Sequence, residues 1–129
     1  MFEKMKIKWL TDDLKRTYNN NIGKRYKIEP KMVQHITNVN GVWWIATESC
    51  CEGHEPGYVG YVYYTIREER VEEFESVLVQ IVDEMPDDVW VDKQLEYRGG
   101  EMSIHYIVHI RQSTIDKYDE RFMQLASQV

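Results

Sequence analysis

The stretch VWVDKQLEYRGGEMSIHYIVHI, residues 89–110, decides the fold. Gly99 and Gly100 separate two segments in which apolar and polar residues alternate, and this pattern is typical of a β-hairpin with a two-residue turn. Pairing outward from Arg98 and Glu101 fixes the register. A slip of one residue would exchange the two faces of the hairpin, so the pattern specifies this register strongly.

One face of the predicted hairpin is apolar and the other is mainly polar. The apolar face contains Val89, Val91, Leu95 and Tyr97 opposite Ile110, Val108, Ile104 and Met102. The second face contains Trp90, Asp92, Gln94, Glu96 and Arg98 opposite His109, Ile107, His105, Ser103 and Glu101. Lys93 falls on the apolar face, and we expect it to reach outward along the ring of Tyr106. A polar face with Trp90 and Ile107 on it is as typical of a homodimer or partner interface as of a solvated surface.

The sequence on either side of this hairpin predicts two more strands and four helices. Residues 42–48 and 58–66 are rich in β-branched and aromatic side chains, which favours strands, and the short loop between them predicts antiparallel neighbours. Apolar residues at helical spacing predict the helices. The first helix covers residues 11–20 with Thr11 as N-cap, and the second covers about 30–39, between Pro30 and Gly41. The third covers about 67–84, and the last is capped by Ser113, with Asp116 at the capping-box position.

The order of elements is therefore α-α-β-β-α-β-β-α. It predicts an α+β fold in which a four-stranded antiparallel sheet carries helices mainly on one face. A chain of 129 residues is typical of a single domain, residues 1–129, with residues 1–29 as a basic helical segment packed on it. His35 lies among apolar neighbours on the second helix, where a hydrogen-bonded structural role is the usual one.

Charge is divided unevenly along the chain. Residues 1–31 carry nine Lys or Arg against four Asp or Glu, whereas the remainder is strongly acidic and the whole chain has a net charge of −6. Non-specific binding to nucleic acid needs a basic field, so the acidic body argues against it. No secretion signal and no apolar run long enough to cross a bilayer is found, and the two Cys residues are adjacent. We therefore expect a cytoplasmic protein without membrane attachment.

The loop TESCCEGH, residues 47–54, contains the most reactive side chains of the sequence. An imidazolium near a thiol favours the thiolate, so Cys51 and His54 are candidate catalytic residues. Gly53 permits a positive φ, and successive amides in such a turn can bind an anion. The candidate ligand-binding residues are Ser49, Cys50, Gly53, His105, His109 and Trp90.

Two other interpretations of the loop stay open. Zinc could be bound by Cys50, Cys51 and His54 with His105 or His109, although adjacent Cys residues reach one tetrahedral ion poorly and the chain has no C-x-x-C motif, so no metal ligands are assigned. His105 and His109 are about 14 Å apart along a strand, too far to share one ion. Alternatively, one Cys packs as a small apolar residue and His54 only bonds the turn. The sequence identifies no cofactor.

The pattern of a strand, residues 47–54, Pro56-Gly57 and a second strand resembles small proteins of phages and bacteria, most of them without an assigned function. More remotely, Cys51-Glu52-Gly53-His54 is similar to the cysteine-x-glycine-basic turn of the wybutosine-synthesis methyltransferase family, which acts on transfer RNA. His54 stands where that family has arginine, and Cys50 where it has serine. The resemblance covers about residues 41–64 and implies pocket roles for Cys51, Gly53 and His54, with Ser49 and Cys50 beside them.

Two hypotheses for function follow from the sequence. The first is a pocket at residues 49–54 for a small anionic or nucleotide-like ligand, with catalysis left open. The second is a protein-protein interaction module without chemistry, such as a phage-encoded binder of a host protein. It would act through the acidic surface and the face that carries Trp90, His105 and His109.

Overall fold

The computed structural model describes residues 6–22, 24, 27–53 and 58–129. Its helices and strands follow the predicted order: α1 Asp12–Asn21, α2 Val33–Asn40, β1 Ile45–Cys51, β2 Val59–Ile66, α3 Val71–Glu84, β3 Val89–Arg98, β4 Glu101–Arg111 and α4 Ile115–Ala126. Short 3-10 turns precede α2, α3 and α4. The strands form one antiparallel sheet in the order β1-β2-β4-β3. Among these described helices, none has the length and apolarity needed to span a membrane.

The β3–β4 hairpin has the predicted register. Arg98 pairs with Glu101, and the pairing continues to Val89 opposite Ile110. Gly99 and Gly100 have φ values of 59° and 82°, a left-handed backbone conformation that residues other than glycine rarely adopt. Lys93 lies over the ring of Tyr106 at 5.5 Å and donates to Glu75 of α3, so its position on the apolar face is confirmed.

The core lies between one face of the sheet and the layer of α2, α3 and α4. Apolar residues of all four strands point into this layer, where Tyr64 stacks on Phe122 and Phe74 meets Tyr106 edge-on. We call the opposite side of the sheet the second face. Only α1 among the described helices packs there, which confirms that the helices lie mainly on one face.

Hydrogen bonds to backbone carbonyl oxygens hold the N-terminal segment and α1 in place. The N–H groups of Lys8 and Leu10 donate to the carbonyl oxygens of Met102 and Ile66, at 2.6 and 3.0 Å. Lys15 of α1 donates to the carbonyl oxygens of Asn40 and Ile45, and its burial lowers the pKa of the amine to about 8. Thr11 caps α1 as predicted by accepting from the N–H of Leu14.

Both predicted ends of β1 and the predicted cap of the last helix were wrong. β1 begins at Ile45 rather than at residue 42, because residues 41–44 continue from α2 as a turn in which Trp44 is buried. The strand then runs to Cys51, into the segment predicted as loop. The last helix is entered through the 3-10 turn Gln112–Thr114, and no side-chain hydrogen bond caps it, so the capping role predicted for Ser113 is not observed.

A buried chain of hydrogen bonds ties the helix layer to the sheet. His35 Nδ1 lies 2.8 Å from the Asp119 carboxylate, and His35 Nε2 lies 2.6 Å from the Tyr64 hydroxyl. That hydroxyl is 2.9 Å from the Tyr118 hydroxyl, and Asn38 donates to the second oxygen of Asp119. The expectation that His35 has a satisfied structural role is confirmed.

Replacing His35 by alanine should strongly destabilise the fold, because the Asp119 carboxylate would stay buried without its imidazole partner. We expect His35→Ala to lower the free energy of unfolding by about 3–5 kcal/mol, the usual cost of removing one partner from a buried ionisable pair. Urea unfolding followed by circular dichroism measures it. Gln34→Ala, at the exposed neighbouring position, is the matched control. A loss for His35→Ala no larger than that of the control would contradict this account.

Candidate functional site

A bulge in β1 determines which side chains reach the second face. Thr47 pairs with Tyr64 and Ser49 with Tyr63, so Glu48 is one extra residue in the strand. Asn40 of α2 bonds both the backbone N–H and the hydroxyl of Thr47, which holds that residue toward the helix layer. The extra residue therefore lets Glu48 turn to the second face, where Ser49 also lies.

The strand alternation separates the two cysteines. Cys50 lies opposite Val62 and packs against the core, whereas Cys51 lies opposite Tyr61 on the second face. Gly53 has a φ of 88°, as its proposed turn role requires, and a Cβ there would stand 3.3 Å from backbone atoms of Tyr58 and Val59. Its carbonyl oxygen accepts from the side chain of Gln112 at 2.9 Å.

The described residues around the loop are acidic, and they favour the protonated form of the Cys51 thiol. Burial is the largest cause that raises the pKa of Cys51; the N–H of Gly53 opposes it by donating to the sulfur at 3.4 Å, and Glu29 and Glu52 raise it further. The N–H of Glu52 donates to Glu29 at 3.2 Å. The backbone N–H groups of Glu52 and Gly53 are thus already engaged, beside two carboxylates that repel an anion.

His54 lies outside the described residues, so its pairing with Cys51 as a catalytic couple stays a prediction. The same holds for a zinc site that includes His54. Within residues 6–22, 24, 27–53 and 58–129, no group of three or more His, Cys, Asp or Glu residues is placed to hold a metal ion.

His109 and Trp90 form a row with Cys51 across the second face. Cys51 pairs with Tyr61, Tyr61 with His109, and His109 with Trp90. The rings of Trp90 and His109 stack at 5.1 Å and 11°, and Asp92 lies 2.9 Å from Nε2 of the imidazole. Trp90 is 40% exposed. The structure therefore brings His109 and Trp90 into contact, whereas Tyr61 of β2 separates them from Cys51.

His105 belongs to a different cluster, under α1. Its Nδ1 is in ion-pair contact with the Glu48 carboxylate, which approaches out of line with the N–H bond, and its Nε2 lies 3.0 Å from the Ser103 hydroxyl. Glu96 is 3.9 Å from the same nitrogen, and the Tyr18 hydroxyl of α1 donates to Glu48 at 2.7 Å. We call Tyr18, Glu48, Ser103 and His105 the His105 cluster.

The charge state of His105 follows from these neighbours. The contact with Glu48 is the largest cause that raises the pKa of His105 above its ordinary value; burial opposes this rise, and Glu96 adds to it. His105 is only 9% exposed. The imidazole therefore holds its proton to a higher pH than a solvated histidine, and as an imidazolium it carries an N–H group on both nitrogens.

A cavity of about 200 Å³ opens beside the His105 cluster. Besides the four cluster residues it is lined by Lys8, Leu14, Thr65, Glu96, Arg98 and Glu101. Lys8 pairs with Glu101 at 2.9 Å. Several polar groups converge on this cavity next to a residue with a shifted pKa, which makes it a candidate small-ligand site.

Sequence reasoning selected His105 but missed its partners. Ser103 and His105 are two residues apart on one strand face, so the predicted register contained their contact. Glu48 was missed because the β1 bulge has no signal in the sequence that we recognised. Tyr18 was missed because local periodicity gives α1 no position relative to the sheet.

Comparison of the chain with protein-family models, with curated proteins and with solved structures gives no match. The resemblance of residues 41–64 to phage and bacterial proteins, and to the wybutosine-synthesis family, therefore stays a prediction. The His105 cluster has to be judged on its own geometry.

The pKa of His105 should depend on Glu48. A titration of imidazole nuclei by NMR, assigned with His105→Gln, should give a midpoint above the ordinary value of about 6.5. Glu48→Gln should lower that midpoint, since it keeps an acceptor for Tyr18 but removes the charge. Glu101→Gln, an exposed carboxylate of the same cavity, is the control. An unchanged midpoint in Glu48→Gln would refute the ion pair.

The same ion pair gives the stability a defined pH dependence. Because the folded pKa of His105 is raised, its stabilisation is fully present below the unfolded pKa and is lost as the pH rises through the folded pKa. The difference in unfolding free energy between the wild type and Glu48→Gln should therefore narrow as the pH rises above about 6.5.

Proposed function

We propose that this protein binds a small anionic ligand in the cavity beside the His105 cluster. The observation that supports the proposal is that Glu48 contacts His105 and His105 contacts Ser103. With the imidazole protonated, Nε2 donates to the Ser103 oxygen, and the Ser103 hydroxyl proton is left to donate elsewhere. Because Ser103 lines the cavity, a ligand oxygen there can accept that hydrogen bond.

The charges around the cavity favour an anionic ligand over a cationic one. Glu48 and Glu96 face His105, and Glu101 pairs with Lys8, so these carboxylates have basic neighbours. Arg98 has no ion pair with any residue that the structure describes. A guanidinium at the edge of a cavity is well suited to a carboxylate or phosphate group, which it can bind through two hydrogen bonds.

The volume limits the size of the ligand. A cavity of about 200 Å³ is smaller than the roughly 300–1,000 Å³ of pockets that hold drug-sized molecules. We therefore expect a carboxylate or phosphate group on a short polar body. A nucleotide-like ligand would place its phosphate in the cavity and leave its base outside.

The raised pKa of His105 favours binding over general-base catalysis. The order Glu48, His105, Ser103 matches that of a carboxylate, a base and a hydroxyl nucleophile. A general base must be unprotonated at the working pH, however, and the Glu48 contact stabilises the protonated form. Hydrogen-bond donation to an anion uses that protonated form directly.

Titration with simple anions tests this function. We expect inorganic phosphate, acetate and adenosine monophosphate to produce saturable NMR shifts at Tyr18, Ser103 and His105. Ser103→Ala should weaken binding roughly tenfold or more, because a hydrogen bond to a charged group contributes about 1.5–3 kcal/mol. Ser113→Ala, which removes an exposed hydroxyl in the 3-10 turn before α4, is the control. Acetate binding should weaken as the pH rises through the pKa of His105.

The same experiment separates this site from the loop predicted from the sequence. Shifts confined to Tyr61 and residues 49–53 would place the ligand at the loop and contradict binding at the His105 cluster. No saturable shift with any of the three anions would contradict the function itself.

A protein partner is the second candidate, and the exposed Trp90 favours it. The stack of Trp90 on His109 continues toward Tyr61 and Tyr63, whose rings meet at 5.5 Å, so the second face offers a broad aromatic surface beside α1. Trp is among the residues that contribute most to protein interfaces. His105 is buried and would not take part, in contrast to the expectation from the sequence.

A pull-down from lysate, with the bound protein identified, tests this candidate. Trp90→Ser and Asp92→Lys should each release the bound protein, whereas Tyr58→Ser, which changes an aromatic residue that is 57% exposed, should retain it. Retention by both Trp90→Ser and Asp92→Lys would contradict a partner on this surface.

A further inference from the structure

β3 is a long edge strand whose outer half is left uncovered by the residues that the structure describes. It extends over ten residues, Val89–Arg98, and among the described residues it pairs only with β4. On the face that carries the core, Leu95 and Tyr97 are 53% and 57% exposed because they lie past the end of the helix layer. Proteins normally protect such an edge, since its free backbone groups can pair with another strand.

The hairpin register identifies which backbone groups are directed outward. In a hairpin with a two-residue turn, the flanking residues Arg98 and Glu101 exchange both of their backbone hydrogen bonds. Alternate residues of β3 repeat this pattern toward Trp90. The N–H and C=O groups of Lys93, Leu95 and Tyr97 therefore face away from β4, toward the open edge.

We propose that β3 pairs with β3 of a second copy of this chain, antiparallel and about a two-fold axis at Leu95. The pairing would join the two four-stranded sheets into one continuous sheet. Leu95 would lie opposite the partner's Leu95, with both Tyr97 rings on the same face. The exposed apolar side chains of the hairpin would then cover each other.

The side chains around Leu95 would complement the same side chains of the second copy across the two-fold axis. Asp92 and Arg98 stand three residues before and after Leu95, so each Asp92 lies opposite the partner's Arg98. Lys93 and Tyr97 stand two residues before and after it, so the aliphatic part of each Lys93 side chain lies beside the partner's Tyr97 ring. A two-fold interface requires such a repeat, because the same surface meets itself.

The neighbouring registers lack this complementarity. An axis at Lys93 would oppose two ammonium groups, and an axis at Glu96 would oppose two carboxylates. An axis at Gln94 would place Asp92 opposite the partner's Glu96. Directly opposed like charges destabilise a strand pair, so the Leu95 register is favoured over the registers on either side.

Sedimentation equilibrium over a series of concentrations tests the dimer. We expect the mass to rise toward twice the 15.5 kDa of the chain as concentration increases. Leu95→Lys should hold the protein as a monomer, and Val33→Lys, at an exposed apolar position of α2, should leave the dimer intact. A monomer at every concentration, or a dimer unaffected by Leu95→Lys, would overturn the proposal.

A charge exchange tests the register. Asp92→Arg alone and Arg98→Asp alone should each weaken the dimer, because each opposes two like charges across the axis. The double variant restores opposite charges and should regain dimerisation. Failure of the double variant to recover, with its circular dichroism unchanged, would overturn the Leu95 register.

This test is independent of ligand binding. Arg98 also borders the cavity beside the His105 cluster, but the anion titration relies on Ser103 and His105 and reports NMR shifts. A protein that dimerises without binding the anions, or binds them as a monomer, would separate the two proposals.

Discussion

The hydrogen bonds that join Asp119, His35, Tyr64 and Tyr118 inside the core are the constraint on which the rest of the structure depends. They connect α2, β2 and α4 through groups that are almost completely removed from water. A buried polar group without its partner is costly, so the helix layer can pack on the sheet in very few ways. This face of the sheet is thereby filled by the core.

The second face differs from one end of β1 to the other. Near the bulge, α1 covers Glu48 and His105 and encloses a small cavity with polar walls. Toward Cys51 the described residues form an open row that ends in Trp90 and His109. The sequence hypothesis combined these histidines in one site, whereas the structure assigns His105 to the covered region and His109 to the open one. The two proposed functions accordingly use different regions, the small ligand the first and the protein partner the second.

Much of the fold could be predicted because its information is local. The alternation around Gly99 and Gly100 is enough to place residues 89–110 in register, and the apolar stripe of α3 needs no knowledge of the sheet. The His105 cluster could be predicted only in part. Ser103 and His105 share a strand face, but the contact with Glu48 depends on a bulge fixed by Asn40 and Thr47, and the contact with Tyr18 depends on how α1 docks. Such long-range packing leaves no periodic pattern in the sequence.

The attachment of the N-terminal segment has a consequence for the order in which the molecule folds and opens. Lys8 bonds to Met102 across most of the chain, and the strands it contacts have to be paired before it can dock. α1 contributes no fully buried side chain, so its detachment exposes little apolar surface compared with unfolding of the core. We therefore expect α1, which covers the His105 cluster, to detach before the core unfolds.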